Sequence, residues 1–173
     1  MSQPPDPDSA LPPESPAFPP ESIEAFLRFC AGEWMSLRSR FALAQSMDNA
    51  DEGDEWHTSE RGELVVAYLE PAAADSPGGL QVGPKGEPSS QLLFAGDGSF
   101  QSGTGRGTWQ LWPDGSLELV IADDRRELRE RIWFTKPNLR LRSTLEHRAD
   151  GSPGRASFSS EIRRVSRQAP ADG

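Results

Sequence analysis

The chain has 173 residues, the length of one globular unit with room for an extension. Its 35% apolar content lies below the globular average, and its net charge of -9 argues against a nucleic-acid binder. No apolar run nears the ~20 residues that cross a bilayer, no secretory leader is apparent, and one cysteine with two histidines excludes a disulfide framework or a metal cluster, so a soluble, cytoplasmic, metal-free protein is expected.

Residues 1–20 combine proline with acidic and small residues and have too little to bury, which predicts a disordered arm. Ser22 then offers an N-cap to a segment in which Ile23, Phe26, Leu27 and Cys30 recur at helical spacing, ending at Gly32. Cys30 shares that apolar stripe, so a buried, inert thiol is expected. After Gly32 the period becomes two: Met35, Leu37, Phe41 and Leu43 share one side, Trp34, Ser36, Arg38 and Arg40 the other. Further strands are predicted over 61–69, 91–95, 106–112, 116–122, 126–134, 138–147 and 156–165. Pro113-Asp114-Gly115 and Asp150-Gly151 supply hairpin turns. Residues 71–90, rich in Gly, Pro, Ala and Ser, read as a long mobile loop, and 168–173 as a disordered tail. One leading helix and many short strands over 21–167 indicate an all-β antiparallel barrel or sandwich.

Charge is unevenly spread. Residues 125–167 carry 12 Arg or Lys against five Asp or Glu, which suits an anionic small ligand or an acidic protein patch. Arg140, Arg142, Thr144 and Glu146 share one side of their strand, and Ser157, Ser159, Glu161 and Arg163 one side of the next. Leu139, Leu141, Leu145, Phe158 and Ile162 occupy the opposite faces. Two arrangements compete: leucines inside with the arginines in water, or a polar lumen with the leucines outside. The Glu130-Arg131 pair reads as structural or surface.

Four segments carry a resemblance: GEWMSLRSRF (32–41), GTWQLWPDGSLELVI (107–121), ERIWFTKPNLRLRS (130–143) and ASFSSEIRR (156–164). In this combination the sequence resembles the S-type phycobiliprotein lyases, the CpcS/CpeS family of the lipocalin-like (calycin) superfamily, known from cyanobacteria and algae. Phe41 stands where many members have histidine, Ser159 where cysteine is common, and residues 44–105 match poorly. The resemblance implies a barrel of about ten strands that binds an open-chain tetrapyrrole and attaches it to a cysteine of an apo-phycobiliprotein during phycobilisome assembly. The phycobilin is then substrate, and no cofactor is called for.

In such barrels Gly32 lets the helix turn into the barrel, Trp34 fills its closed end, and Arg163 stacks on the indole. A bilin needs a roomy cavity with a few polar groups. Arg38, Arg140 and Arg142 are candidates to hold its propionates, with Thr144 and Ser159 beside them. Trp109 would stack along the chromophore, and Glu161 would hydrogen-bond the pyrrole nitrogens and favour the electrophilic, protonated form. With the resemblance, the polar-lumen arrangement is the expected one. A non-catalytic carrier of a bilin or other anionic apolar ligand, and a partner subunit of a homodimeric or heterodimeric lyase, share this fold and remain alternatives.

Overall fold

The structure, a computed structural model, describes residues 15–42, 57–103 and 105–165. One helix, α1 (Ile23–Cys30), precedes β1 (Gly32–Ala42), β2 (His57–Leu69), β3 (Gly78–Pro84), β4 (Ser90–Phe94) and β5 (Ser99–Ser102). The chain continues through β6 (Gly105–Leu111), β7 (Leu117–Ala122), β8 (Arg126–Lys136), β9 (Leu139–Arg148) and β10 (Pro153–Arg163). Every strand pairs antiparallel with the next, and β10 returns to β1, closing a ten-stranded barrel as expected. Closure leaves no sheet edge unpaired.

The helix forms where the cap and the stripe place it. Ser22 Oγ accepts a hydrogen bond from Ala25 N at 3.1 Å, and Glu24 pairs with Arg28 one turn on. Phe26, Leu27 and Cys30 are buried. The rings of Phe26 and Phe29 meet Phe134 edge-on at 5.3 and 4.8 Å, so the helix plugs one end of the barrel. The last part of the stretch expected as an arm is packed onto this plug: Phe18 meets Phe29 at 5.8 Å and Pro20 is buried. The rest of that arm, residues 1–14, and the tail 168–173 lie outside the described residues.

Two strands depart from expectation. Residues 71–90, expected as one loop, contain all of β3, and β5 was not anticipated. The glycines that suggest a loop serve close packing instead. A Cβ on Gly79 would stand 2.5 Å from Leu92 O, and one on Gly83 2.8 Å from Ser89 Cα, so the neighbouring β4 segment approaches only because those side chains are missing. β5 has four residues, too few for an alternating pattern to register.

Three turns repeat one device, Asp-Gly-Ser at 97–99, 114–116 and 150–152. In each the aspartate Oδ1 accepts from the serine backbone N–H at 2.9 Å and from the serine hydroxyl, while the glycine takes φ of 92°, 83° and 76°. The bonds to Ser99, Ser116 and Ser152 lower the carboxyl pKa values of Asp97, Asp114 and Asp150. A lowered folded-state pKa is stability present above the unfolded carboxylate range and lost as pH falls through the folded value.

Register decides which face is inside. Trp34 pairs with Arg163, Ser36 with Glu161 and Arg38 with Ser159, and Glu161 in turn pairs with Arg140 and Ser159 with Arg142. Arg140, Ser159 and Glu161 are buried, whereas Met35, Leu37, Leu145, Phe158 and Ile162 are exposed on the outside. The polar-lumen arrangement therefore holds. The helix plugs the barrel end and leaves these outward apolar residues uncovered. Leu141→Arg, on the outer face of β9, is expected to cost about 1 kcal/mol or less, whereas Ile132→Arg, whose lumenal side chain is opposite Arg142, should prevent folding. Thermal melts of the two variants check the parity directly.

Candidate functional site

The lumen has two unlike walls. From β2 round to β8 its inward positions are mostly apolar, including Val66, Leu80, Phe94, Phe100, Leu117 and Ile132, with Glu60 of β2 and Glu130 of β8 as charged exceptions. Gly107 makes room there, since a Cβ on it would meet Val120 O at 2.3 Å and the Phe100 ring at 2.5 Å. Between Trp34 at the closed end and Ala42 at the rim, the inward positions of β9, β10 and β1 are Arg, Ser, Thr and Glu. Trp109 belongs to the apolar wall: its indole N–H donates to Ala95 O at 2.9 Å and its ring meets Phe94 edge-on at 6.5 Å.

Charges on the polar wall are chained together. Arg140 Nε donates to Glu161 Oε2 at 2.5 Å, with side chains 1% and 0% exposed. Arg142 Nη2 is 3.3 Å from Glu161 Oε1, and its Nη1 is 3.3 Å from Glu130 Oε1. Two carboxylates thus face two guanidiniums, which is how charge survives at such depth. Burial would depress the Arg142 pKa, but Glu130 and Glu161 outweigh it and the value is raised, so the cation is secure. Glu130 thereby faces the lumen in a structural ion pair with Arg142, not in a pair with Arg131. Its neighbour Arg131 points outward, to Asp114 and Ser116.

The network is not saturated. Arg140 Nη2, Arg142 Nε and Glu161 Oε1 are buried without a hydrogen-bond partner. Buried polar atoms are normally satisfied by protein or water, so the two donors, and Glu161 Oε1 beyond its 3.3 Å ion pair with Arg142, can still take a polar molecule on the floor of the lumen. Above them Arg38 Nε donates to Ser159 Oγ at 3.2 Å, which makes Ser159 a buried support for Arg38.

At the closed end Trp34 is fully buried between two cations. The guanidinium of Arg163 lies 4.3 Å and that of Arg140 4.6 Å from its ring centroid, and its N–H donates to Cys30 O at 2.9 Å. Arg163 also donates to the carbonyls of Ala31 and Phe29, tying β10 to the end of α1. Burial, together with the like charge of Arg140, pulls its pKa below the usual value. Gly32 takes φ +142°, and a Cβ there would lie 3.0 Å from Arg163 Nη1, so glycine serves both the turn and the close passage of the guanidinium. Burial raises the Cys30 pKa against the opposing pull of Arg140, keeping the thiol neutral, as expected of a structural cysteine.

The opposite end is open. A cavity of about 450 Å³ is lined there by Arg38, Arg40, Phe41, Ala42, Thr58, Leu128, Thr144, Glu146, Arg155, Ala156 and Ser157. Of the expected site residues, Arg38 and Thr144 line this mouth, Arg140, Arg142, Ser159 and Glu161 form the layer beneath, and Trp109 stands apart on the other wall. Sequence reading missed Glu130, which meets Arg142; Glu60, which pairs with Arg40 at 2.7 Å; and Arg155, which lines the cavity. Arg155 carried a usable signal, because residues 155, 157, 159, 161 and 163 share one face of β10.

Among the described residues, no helix is long and apolar enough to cross a membrane and no group of three or more His, Cys, Asp or Glu side chains could hold a metal ion.

Comparison with known proteins agrees with this barrel. Residues 87–164 match the family described as CpeS-like protein. The chain is 46% identical over 157 residues to chromophore lyase CpcS/CpeS 1 of Paulinella chromatophora, covering 90% of this chain and 96% of that protein. It is 31% identical over 116 residues to chromophore lyase CpcS/CpeS 1 of Synechocystis, covering 66% of this chain and 55% of that one. Among solved structures, the S-type phycobiliprotein lyase CPES of Guillardia theta superposes with a TM-score of 0.63 at 21% identity, covering 84% of this chain and 94% of that one, and shares the fold. The closed barrel and its polar wall agree with the 46% identity, spanning nearly the whole of both chains, that places this chain in the CpcS/CpeS family of chromophore lyases.

Proposed function

We propose that the protein binds a phycobilin in its lumen and attaches it through a thioether to a cysteine of an apo-phycobiliprotein. The observation that carries this reading is the two-sided lumen with unspent polar atoms on its buried floor. A bilin is a conjugated apolar ribbon with pyrrole N–H donors, terminal carbonyl acceptors and two carboxylates. Its flat faces suit the apolar wall. Its pyrrole N–H can donate to Glu161 Oε1, and its oxygens can accept from Arg140 Nη2 and Arg142 Nε. Arg38, braced by Ser159 and flanked by Thr144, offers a guanidinium towards the mouth.

No residue of this chain needs to be the nucleophile. The acceptor's thiolate adds to the exocyclic ethylidene carbon, a carbon–sulfur bond forms as the double bond opens, and a proton is taken up by the ring system. The lyase contributes orientation and shielding from stray addition, and Glu161 stabilises the protonated, more electrophilic bilin. The step needs no cofactor. The partners are a phycobilin, the acceptor subunit and, as a second lyase subunit, a copy of this chain or a paralogue, with the cytoplasm as the compartment. Outward apolar residues such as Met35, Leu37, Phe158 and Ile162 offer area for a protein contact.

Absorbance titration with free phycobilin tests the binding step. A saturable, red-shifted spectrum is expected with the wild-type protein, with a smaller red shift in Glu161→Gln. A spectrum unchanged from free bilin would refute lumenal binding.

A further inference from the structure

The positive charge at the mouth is not evenly spent. Six arginines occupy inward positions on β1, β9 and β10: Arg38, Arg40, Arg140, Arg142, Arg155 and Arg163. Arg140 and Arg142 are met by Glu161 and Glu130, and Arg40 pairs with Glu60 at 2.7 Å. Arg163 is absorbed by Trp34 and by the carbonyls that end α1. That leaves two. Among the described residues, the one hydrogen bond of Arg38 is to the neutral Ser159 hydroxyl, and Arg155 has neither a hydrogen bond nor an ion pair. Both line the same 450 Å³ cavity. The carboxylate lining that cavity, Glu146, is already engaged by Arg126 at 3.4 Å and Arg148 at 2.9 Å.

Resting on the bilin reading above, we propose that Arg155 and Arg38 form a clamp for a dianionic ligand, each guanidinium taking one of the two propionates, and that Arg155 is therefore a specificity-determining residue. Arg38 is level with Ser159 and Arg155 with Ala42, four residues further along β1, a separation of about 13 Å at ~3.3 Å per residue. Two long side chains reaching inward from those positions bracket the cavity, with the hydroxyls of Thr144 and Ser157 between them. Propionates sit on the two central rings of a bilin. Clamping them at the mouth leaves one terminal ring to point down towards Arg140, Arg142 and Glu161 and the other to emerge at the rim, where an acceptor thiol can meet it. A guanidinium can bind each carboxylate through paired hydrogen bonds, a geometry that an ester cannot exploit to the same degree.

The test compares a free phycobilin diacid with its dimethyl ester by absorbance titration, with melting curves to show that each variant is folded. The wild-type protein should bind the diacid at least about tenfold more tightly than the ester. Arg155→Ala and Arg38→Ala should each weaken the diacid about tenfold and leave the ester unchanged, and the double variant should lose the preference. Arg155→Lys, which keeps the charge but not the fork, should fall between. Equal wild-type binding of both forms would refute the clamp while leaving lumenal binding in place. Equal weakening of diacid and ester by Arg155→Ala would also refute it, making Arg155 a structural residue. Binding of neither form by the wild-type protein would overturn the bilin reading itself.

Discussion

Glu161→Ala is expected to destabilise the barrel by about 3–5 kcal/mol, because it leaves the Arg140 guanidinium buried at 1% exposure without its counter-charge. Urea melts should show the midpoint falling sharply with little change in slope. The loss belongs to the orphaned cation more than to any net strength of the pair, since two buried charges give back in attraction roughly what they cost in desolvation. Arg140→Met combined with Glu161→Leu should therefore recover most of the stability while removing two of the three floor groups proposed to meet the bilin. That double variant separates structure from chemistry: a folded barrel with weakened bilin binding is the expected result. A single Glu161→Ala variant as stable as wild type would contradict the network.

Trp34→Ala should cost about 3–5 kcal/mol, the range for deleting a large buried aromatic. The indole is 0% exposed and lies between the guanidiniums of Arg140 and Arg163. Its removal opens a cavity at the closed end and also takes away the negative ring faces that separate two like charges. Arg163 holds the carbonyls at the end of α1, so the plug should loosen with it. Trp34→Phe, which keeps a smaller ring, should cost markedly less. Calorimetric melts of the two variants give the comparison, and hydrogen exchange at Phe26 and Leu27 should accelerate in the alanine variant.

The period-two pattern made most of the strands legible because half-exposed strands alternate, and β1, β6, β7, β8, β9 and β10 do so. β3 was hidden because its glycines are selected by contact with the Leu92 and Ser89 backbones, a tertiary fact that leaves only a loop-like composition behind. The direction of the polar wall was not legible from pattern at all. Leu141 and Arg142 alternate equally well either way, and the outcome is set by Glu130 and Glu161, which arrive from β8 and β10 to neutralise the arginines of β9. Pairing across strands is invisible to a rule that reads one strand at a time. The same blindness left Glu60 outside the site, since its partner Arg40 lies on another strand. Trp109 stands on the apolar wall with its indole N–H committed to Ala95 O, which leaves its ring face for stacking.

Attachment of a chromophore is the central claim, and incubation with a free phycobilin and an apo-phycobiliprotein tests it most directly, with the paralogous subunit added in a parallel reaction. After denaturing electrophoresis, zinc-induced fluorescence on the acceptor band, absent when the acceptor cysteine is replaced, is the predicted result. Saturable bilin binding with no fluorescent acceptor band in either reaction would contradict the lyase account and identify the barrel as a carrier.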